Sequence, residues 1–277
     1  MGRTRPRIVI LGGGYAGAYC AQALERRLRP DEADILVIGR QHCFVIFPLL
    51  VEAGTESLEP RHAVVSIRAF LRRSEFRMSS VVGLDAAGGV VLCRDVGAAG
   101  EERIAYDHLE IALGSGTMLP PVPGLREHAL QMKSMADAVG LRDRAIQMLE
   151  LAQAQPSRRA ALLHFVIVGA NFTGAEVAGE LDAFLRSAVK RYRALSQKDI
   201  RITLVDRGER ILSALDPSLS EYARKNMVRR GLDVRLHESV SRIEAEAVTL
   251  ASGEVVAACT TIWAAGIAPP PVLETMG

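Results

Sequence analysis

The chain has 277 residues, 34 Lys and Arg against 32 Asp and Glu, a net charge of +2 and 49% hydrophobic residues. That length buries a full core and allows two domains of roughly 100–200 residues each. The near-neutral balance gives no field that would attract nucleic acid, and apolar runs such as Ala160 to Leu163 and Phe165 to Val168 are too short to span a bilayer. The opening MGRTRPR lacks the apolar stretch and cleavage site of a signal peptide, so a cytoplasmic protein is expected. Cys20, Cys43, Cys93 and Cys259 are scattered, with neither a CxxC pair nor metal-ligand spacing, and read as small buried apolar residues.

The segment RPRIVILGGGYAG, Arg5 to Gly17, reads as a strand (Arg7 to Leu11), a glycine-rich turn and a helix from about Ala16 to Leu28. In that turn Gly12 permits the tight bend, Gly14 lets backbone approach a pyrophosphate, and Gly17 lets helix and strand pack closely. Phosphates suit a helix N-terminus because its free N–H groups and dipole favour negative charge. Ile35 to Ile38 is the second strand. The acidic residue that normally ends it, and accepts hydrogen bonds from a ribose, is replaced by Gly39. The ribose then falls to Arg40 or backbone groups, or the first site binds its nucleotide less tightly. An apolar loop, CFVIFPLLVEAGT, precedes a helical stretch near Ala63 to Arg73. Met78 to Leu84 and Val90 to Cys93 then pair as a hairpin across Gly88 and Gly89, and His108 to Leu113 closes the unit. The basic clusters Arg26 to Arg29, Arg72 to Arg73 and Arg229 to Arg230 fall on predicted helices and read as solvated faces.

The proline-rich MLPPVPG, Met118 to Gly124, marks a domain boundary. Ser134 to Ala154 reads as one helix. LHFVIVGANFTG, Leu163 to Gly174, then repeats the strand, glycine turn and helix, with the strand at Phe165 to Val168 and the helix running to about Leu195. Strand Ile202 to Asp206 follows, then a helix capped by Asp216 with Pro217 first and Gly231 past its end. A meander over Val234 to Ala258 turns on Ser252, Gly253 and Glu254, and Thr260 to Ala264 is the last strand. Gly12 and Gly169 are 157 residues apart, and Gly114 and Gly266 are 152 apart, so a whole dinucleotide-binding unit is laid down twice.

The second turn keeps Gly169 and Gly174 but places Asn171 where the middle glycine belongs. Its side chain then stands where a pyrophosphate approaches, or donates to it, and a weakened rather than a dead site is expected. Asp206 suits a ribose 2′-hydroxyl and favours NADH, while Arg207 leaves NADPH open. Glu176 lies in the first turn of the helix, where a carboxylate either complements the dipole or sits at the mouth between nicotinamide and a second cofactor, relaying a proton. Glu180, one turn on, reads as a surface or interdomain contact. Two dinucleotide sites in one chain imply electrons passing between two cofactors.

These motifs, with FVIFPLLVEAGT, YDHLEIALGSGT, PGLREHAL, VGANFTGAEVAGEL and TIWAAGIAPPP, resemble the pyridine nucleotide and FAD-dependent oxidoreductases over almost all 277 residues, most of all their type II NADH:quinone oxidoreductase branch. The resemblance implies an α/β fold of two Rossmann-like domains with parallel sheets and β-meander inserts. Residues 1–120 would bind FAD and residues 121–277 NAD(H). Hydride would pass from NADH to FAD and electrons on to quinone. Gly12, Gly14, Gly17, Ala112, Gly114 and Ser115 would face FAD; Gly169, Gly174, Glu176, Asp206 and Gly266 would face NADH, with Glu176 matching the family's helix glutamate near the flavin. A quinone or other small acceptor, peripheral contact with the inner face of the cytoplasmic membrane and a homodimer also follow from the resemblance. The disulfide reductases of the family need a CxxxxC or CxxC pair, which is absent, and Cys43, only four residues past Gly39, reads as a packed thiol. In the family the chain returns to complete the FAD domain through a Gly-Asp strand end, and no Gly-Asp dipeptide occurs here. The competing expectation is therefore a truncated or degenerate homologue, a non-catalytic nucleotide-binding protein; a nucleotide-sensing or partner-binding module using the second unit alone is a third.

Overall fold

The computed structural model describes residues 5–55 and 57–276. The chain begins with β1 (Arg7–Leu11), α1 (Tyr15–Arg27), β2 (Asp34–Gly39), β3 (Cys43–Val45), α2 (Leu50–Gly54), β4 (Val64–Ser66) and α3 (Ile67–Phe70). It continues through β5 (Glu75–Asp85), β6 (Val90–Asp95), β7 (Glu102–Ala105), β8 (His108–Ile111) and the two-residue β9 (Gly116–Thr117). The chain divides into two compact units: Met1–Ile46, Arg61–Gly116 and Ala268–Gly277 form the first, and Phe47–Pro60 with Thr117–Ile267 form the second. The crossing thus falls at Gly116 and Thr117, just before the proline-rich segment, and α2 groups with the second unit.

In the first unit the sheet order is β7-β6-β5-β2-β1-β8. Strands β5, β2, β1 and β8 run parallel, which is the strand order of a mononucleotide-binding half, and β5 continues into the antiparallel meander with β6 and β7. The unbroken apolar run of β1 has a simple cause, because both faces of the sheet are covered. Ile10 packs on one face with Ala18 and Ala21 of α1, while Val9 and Leu11 pack on the other against Val91, Cys93 and Ile104 of the meander.

Three local expectations are corrected here. The apolar stretch after β2 is ordered structure rather than a loop, with a 3₁₀ turn at Phe47–Leu49 leading into α2, whose Leu50, Val51, Ala53 and Gly54 are buried. The segment expected to be helical near Ala63 to Arg73 gives a 3₁₀ turn, β4 and only four residues of α3; the β-branched Val64 and Val65 pair with β3 instead. Arg72 and Arg73 are therefore outside any helix. Their backbone N–H groups, with that of Ser74, donate to the Glu25 carboxylate, and the Arg73 guanidinium donates to the carbonyl oxygens of Glu25 (3.2 Å) and Leu28 (2.6 Å) at the end of α1. A cation at that helix end completes carbonyls the helix leaves unpaired.

The second unit adds α4 (Leu125–His128), β10 (Ala129–Leu130), α5 (Met135–Ala154), α6 (Arg159–Leu162), β11 (His164–Val168), α7 (Phe172–Ala188), β12 (Arg201–Val205), α8 (Pro217–Arg229) and β13 (Asp233–Arg235). The meander β14 (Val240–Ile243), β15 (Ala247–Leu250) and β16 (Val255–Ala257) precedes β17 (Thr260–Trp263), and the chain returns to the first unit through β18 (Ile267–Ala268). The sheet β10-β17-β11-β12-β13 is parallel throughout, and its β13-β12-β11-β17 portion repeats the order β5-β2-β1-β8. Val234, expected in the meander, sits in β13 beside β12. Helix α7 stops at Ala188, short of the expected Leu195, because Arg186 and Gln197 each donate to the other's backbone carbonyl and close the helix end. Ser134 and Asp137 form a reciprocal capping box on α5, and Asp216 caps α8 by accepting from the Ser218 N–H at 2.8 Å. Of the four thiols expected to be buried, Cys93 and Cys259 are, whereas Cys20 and Cys43 are half-buried.

Candidate functional site

The two glycine turns are built alike. Gly12 (φ +113°) donates its N–H to the Ile38 carbonyl at 2.7 Å, and Gly169 (φ +104°) donates to that of Val205 at 2.8 Å. A Cβ on Gly17 would lie 1.9 Å from the Gly12 oxygen; one on Gly174 would lie 1.7 Å from the Gly169 oxygen. No side chain fits at either place, so helix and strand meet backbone to backbone. Gly12 also abuts Ala112, whose oxygen is 2.1 Å from the Cβ it lacks, and Gly169 abuts Ala265. Past the closing strands Gly114 (φ +68°) and Gly266 (φ +74°) take the same left-handed backbone.

The turns differ where a pyrophosphate would approach. At Gly14 an added Cβ meets nothing within 4 Å, and α1 begins with no side-chain cap and no acidic residue in its first turn. Its N–H groups are left for an anion. Gly114 and Gly116 face open space as well, next to Ser115. In the second unit Asn171 caps α7 itself: its Oδ1 accepts from the Gly174 N–H at 3.0 Å and its Nδ2 donates to the Ala264 carbonyl at 2.8 Å. The side chain is fastened to the turn and takes up one helix N–H.

The ends of the second strands also differ. Gly12 bonds Ile38 as Gly169 bonds Val205, so Gly39 stands in the place of Asp206. The Asp206 carboxylate is oriented by backbone, accepting from Ala170 N–H and from Gly208 N–H, each at 2.6 Å. At Gly39 a Cβ would come within 3.2 Å of the Gly13 nitrogen and 3.3 Å of Phe76 Cε2, so even the first atom of a side chain is crowded there. Arg40 follows on the exposed surface.

Within the second unit a pocket gathers Asn171 and Thr173 from the start of α7, Glu176 from just past its first turn rather than within it, Lys133, Phe47 and Leu50, and Trp263 with Gly266 at the end of β17. Trp263 is locked by its Nε1–H, which donates to the carbonyls of Met118 (3.0 Å) and Ala265 (2.9 Å). The Lys133 ammonium lies 5.6 Å from the centroid of the Phe47 ring. Among the described residues no hydrogen bond or ion pair reaches the Glu176 carboxylate. Burial, and then the nearby Glu52 carboxylate, push its pKa above the ordinary carboxylate value. Glu180 accepts from Ser57 Oγ at 2.9 Å and Thr55 Oγ1 at 3.4 Å, which ties α7 to the residues following α2. Sequence reasoning singled out Glu176 and missed Trp263, Lys133 and Phe47 as its neighbours. Phe47 and Trp263 lie in segments quoted for the resemblance, whereas Lys133 lies just past one and carried no signal. Among the described residues no cluster of His, Cys, Asp or Glu could hold a metal ion, and no helix is long and apolar enough to cross a membrane.

Two sheets whose four-stranded parallel cores share one strand order, each with a glycine turn leading into a helix, define an α/β protein with a duplicated dinucleotide-binding fold. Residues 6–277 match the pyridine nucleotide-disulphide oxidoreductase family, and the chain belongs to it. It is similar to the external alternative NAD(P)H-ubiquinone oxidoreductase B3 of Arabidopsis thaliana mitochondria, at 29% identity over 98% of this chain and 49% of that protein. The type II NADH:quinone oxidoreductase of Mycobacterium tuberculosis is 28% identical over 95% of this chain and 58% of its own length. The chain thus spans about half the length of the curated relatives it matches. Among solved structures, NDH2 from Plasmodium falciparum in complex with NADH superposes with a TM-score of 0.89 at 22% identity, covering 98% of this chain and 57% of that one. A water-forming NADH oxidase from Lactobacillus brevis gives 0.78 at 17% identity, covering 97% of this chain and 56% of that one. At these identities the structures establish the fold.

Proposed function

We propose that this chain is the dinucleotide-binding core of a type II NADH dehydrogenase, with FAD in the first unit, NADH in the second and a quinone as final acceptor. The observation that carries the reading is the doubled cradle: two backbone-to-backbone glycine turns in equivalent registers, one ending in an uncapped helix and the other opening onto a pocket that holds an unpartnered carboxylate. FAD, when bound, supplies the redox chemistry, taking hydride from NADH and passing electrons on.

The residues of the chain bind and orient. Gly12, Gly14 and Gly17 present the free N–H groups of α1 to the flavin pyrophosphate, and Ala112, Gly114 and Ser115 border the same crevice. Gly169 and Gly174 do this in the second unit with one N–H fewer, because Asn171 takes it, so the NADH site is the weaker of the two. Asp206, oriented by two backbone donors, presents its remaining lone pairs to a ribose and favours NADH over NADPH. Glu176 sets a carboxylate of raised pKa beside the nicotinamide, suited to relay a proton there, and Trp263 and Phe47 line that place.

The visible spectrum of the purified chain, recorded after FAD is added and excess removed and again after anaerobic NADH, tests this. Retained yellow colour that bleaches, and returns when a short-chain quinone is added, is the expected result. A colourless protein would overturn the catalytic reading and leave a nucleotide-binding homologue.

A further inference from the structure

The first unit has no carboxylate where a dinucleotide ribose is normally held, and the space for a side chain at Gly39 is tight. What stands beside that position is Phe76 on β5, whose Cε2 lies 3.3 Å from the Cβ position of Gly39 and 3.6 Å from that of Gly13. The Arg68 guanidinium of α3 lies over this ring, 5.1 Å from its centroid. Helix α3 is anchored by its first residue, since Ile67 Cδ1 fills the space a Gly13 side chain would need, 2.5 Å from its Cβ position. Among the described residues no carboxylate pairs with Arg68, and its side chain is exposed. A guanidinium lying over an aromatic ring that closes on both Gly13 and Gly39 is therefore carried towards the ribose end of the glycine turn by two separate packing contacts. Guanidinium suits that place because it offers several N–H donors from a plane that stacks.

We propose that Arg68 is the residue of the first unit that holds the adenosine half of its dinucleotide, donating to ribose oxygens at the place Gly39 leaves without a carboxylate. It reverses the hydrogen-bond direction used at Asp206, where a carboxylate accepts from the ribose hydroxyls. The inference rests on the reading of the first unit as the FAD site.

The test titrates the flavin-free 277-residue chain with FAD and with FMN, which lacks the adenosine half, following flavin fluorescence. Arg68→Met keeps much of the side-chain stem and should weaken FAD binding about tenfold, the scale of one charge-assisted hydrogen bond. FMN binding and the melting temperature of the flavin-free protein should not move. Arg68→Lys, which keeps the charge but not the planar array of donors, should fall between wild type and Arg68→Met. Unchanged FAD affinity overturns the proposal. So does an FAD loss matched by FMN or accompanied by a lower melting temperature, since α3 would then merely pack. Wild-type protein that binds neither flavin overturns the FAD site itself, and with it this role.

Discussion

Glu176 enters its pocket with a pKa raised by burial and by Glu52, so the folded state holds its proton more tightly than the unfolded chain does. The stability this group contributes is fully present below the ordinary carboxylate value of 4.5 and is lost as pH rises through the raised value. Glu176→Gln should therefore raise the melting temperature at neutral pH relative to wild type, with the difference shrinking as the pH approaches 4, a direction thermal scans across pH would check. In the flavin-loaded protein the same substitution should slow turnover more than it weakens NADH binding, and steady-state rates set beside a binding titration separate the two. The glycines make a second residue-scale contrast. Gly17→Ala puts a methyl carbon into the Gly12 carbonyl and should cost about 1–3 kcal/mol in urea denaturation. Gly14→Ala meets open space and should leave stability nearly unchanged, its effect appearing in FAD affinity.

Elements whose ends carry their own signals are where sequence and structure agree. Helix α5 begins where its helical reading begins, because Ser134 and Asp137 satisfy each other's backbone N–H groups, and α8 begins and ends where Asp216, Pro217 and Gly231 place it. Ser134→Ala should cost about 1 kcal/mol, read as a shift in the urea midpoint with an unchanged slope. The stretch from Cys43 to Arg73 was not legible, and for a reason of the same kind. Its elements are three to five residues long, its hydrophobic run has no period, and its conformation is set by distant partners: Ala138 of α5 against Gly54, β3 against β4, and Glu25 of α1 against Arg72 to Ser74. Arg68 went unread with it. A lone arginine in such a segment acquires meaning only when Phe76 is seen beneath it.

At the scale of the molecule, the offset between the two glycine motifs made the duplication visible before any coordinate, and the matched strand orders repeat it in three dimensions. The exchange of residues 47–60 left no trace in that offset, because spacing counts residues and is blind to which core they join. The single tryptophan of the chain lies in the second unit's pocket, so NADH should quench Trp263 emission by energy transfer while ADP-ribose, without the nicotinamide, should not. Equal quenching by both would move the nicotinamide elsewhere. The excursion of Phe47 to Pro60 has a further consequence for how such a chain can change. A duplicated gene ordinarily keeps the option of separating into its halves, each able to fold alone. Here the first half supplies the second with α2, and Ala138 would face solvent without the backbone of Gly54 against it. A break at Gly116 would leave neither product whole, so the two copies are bound to a common inheritance and can diverge in their ligands without parting company.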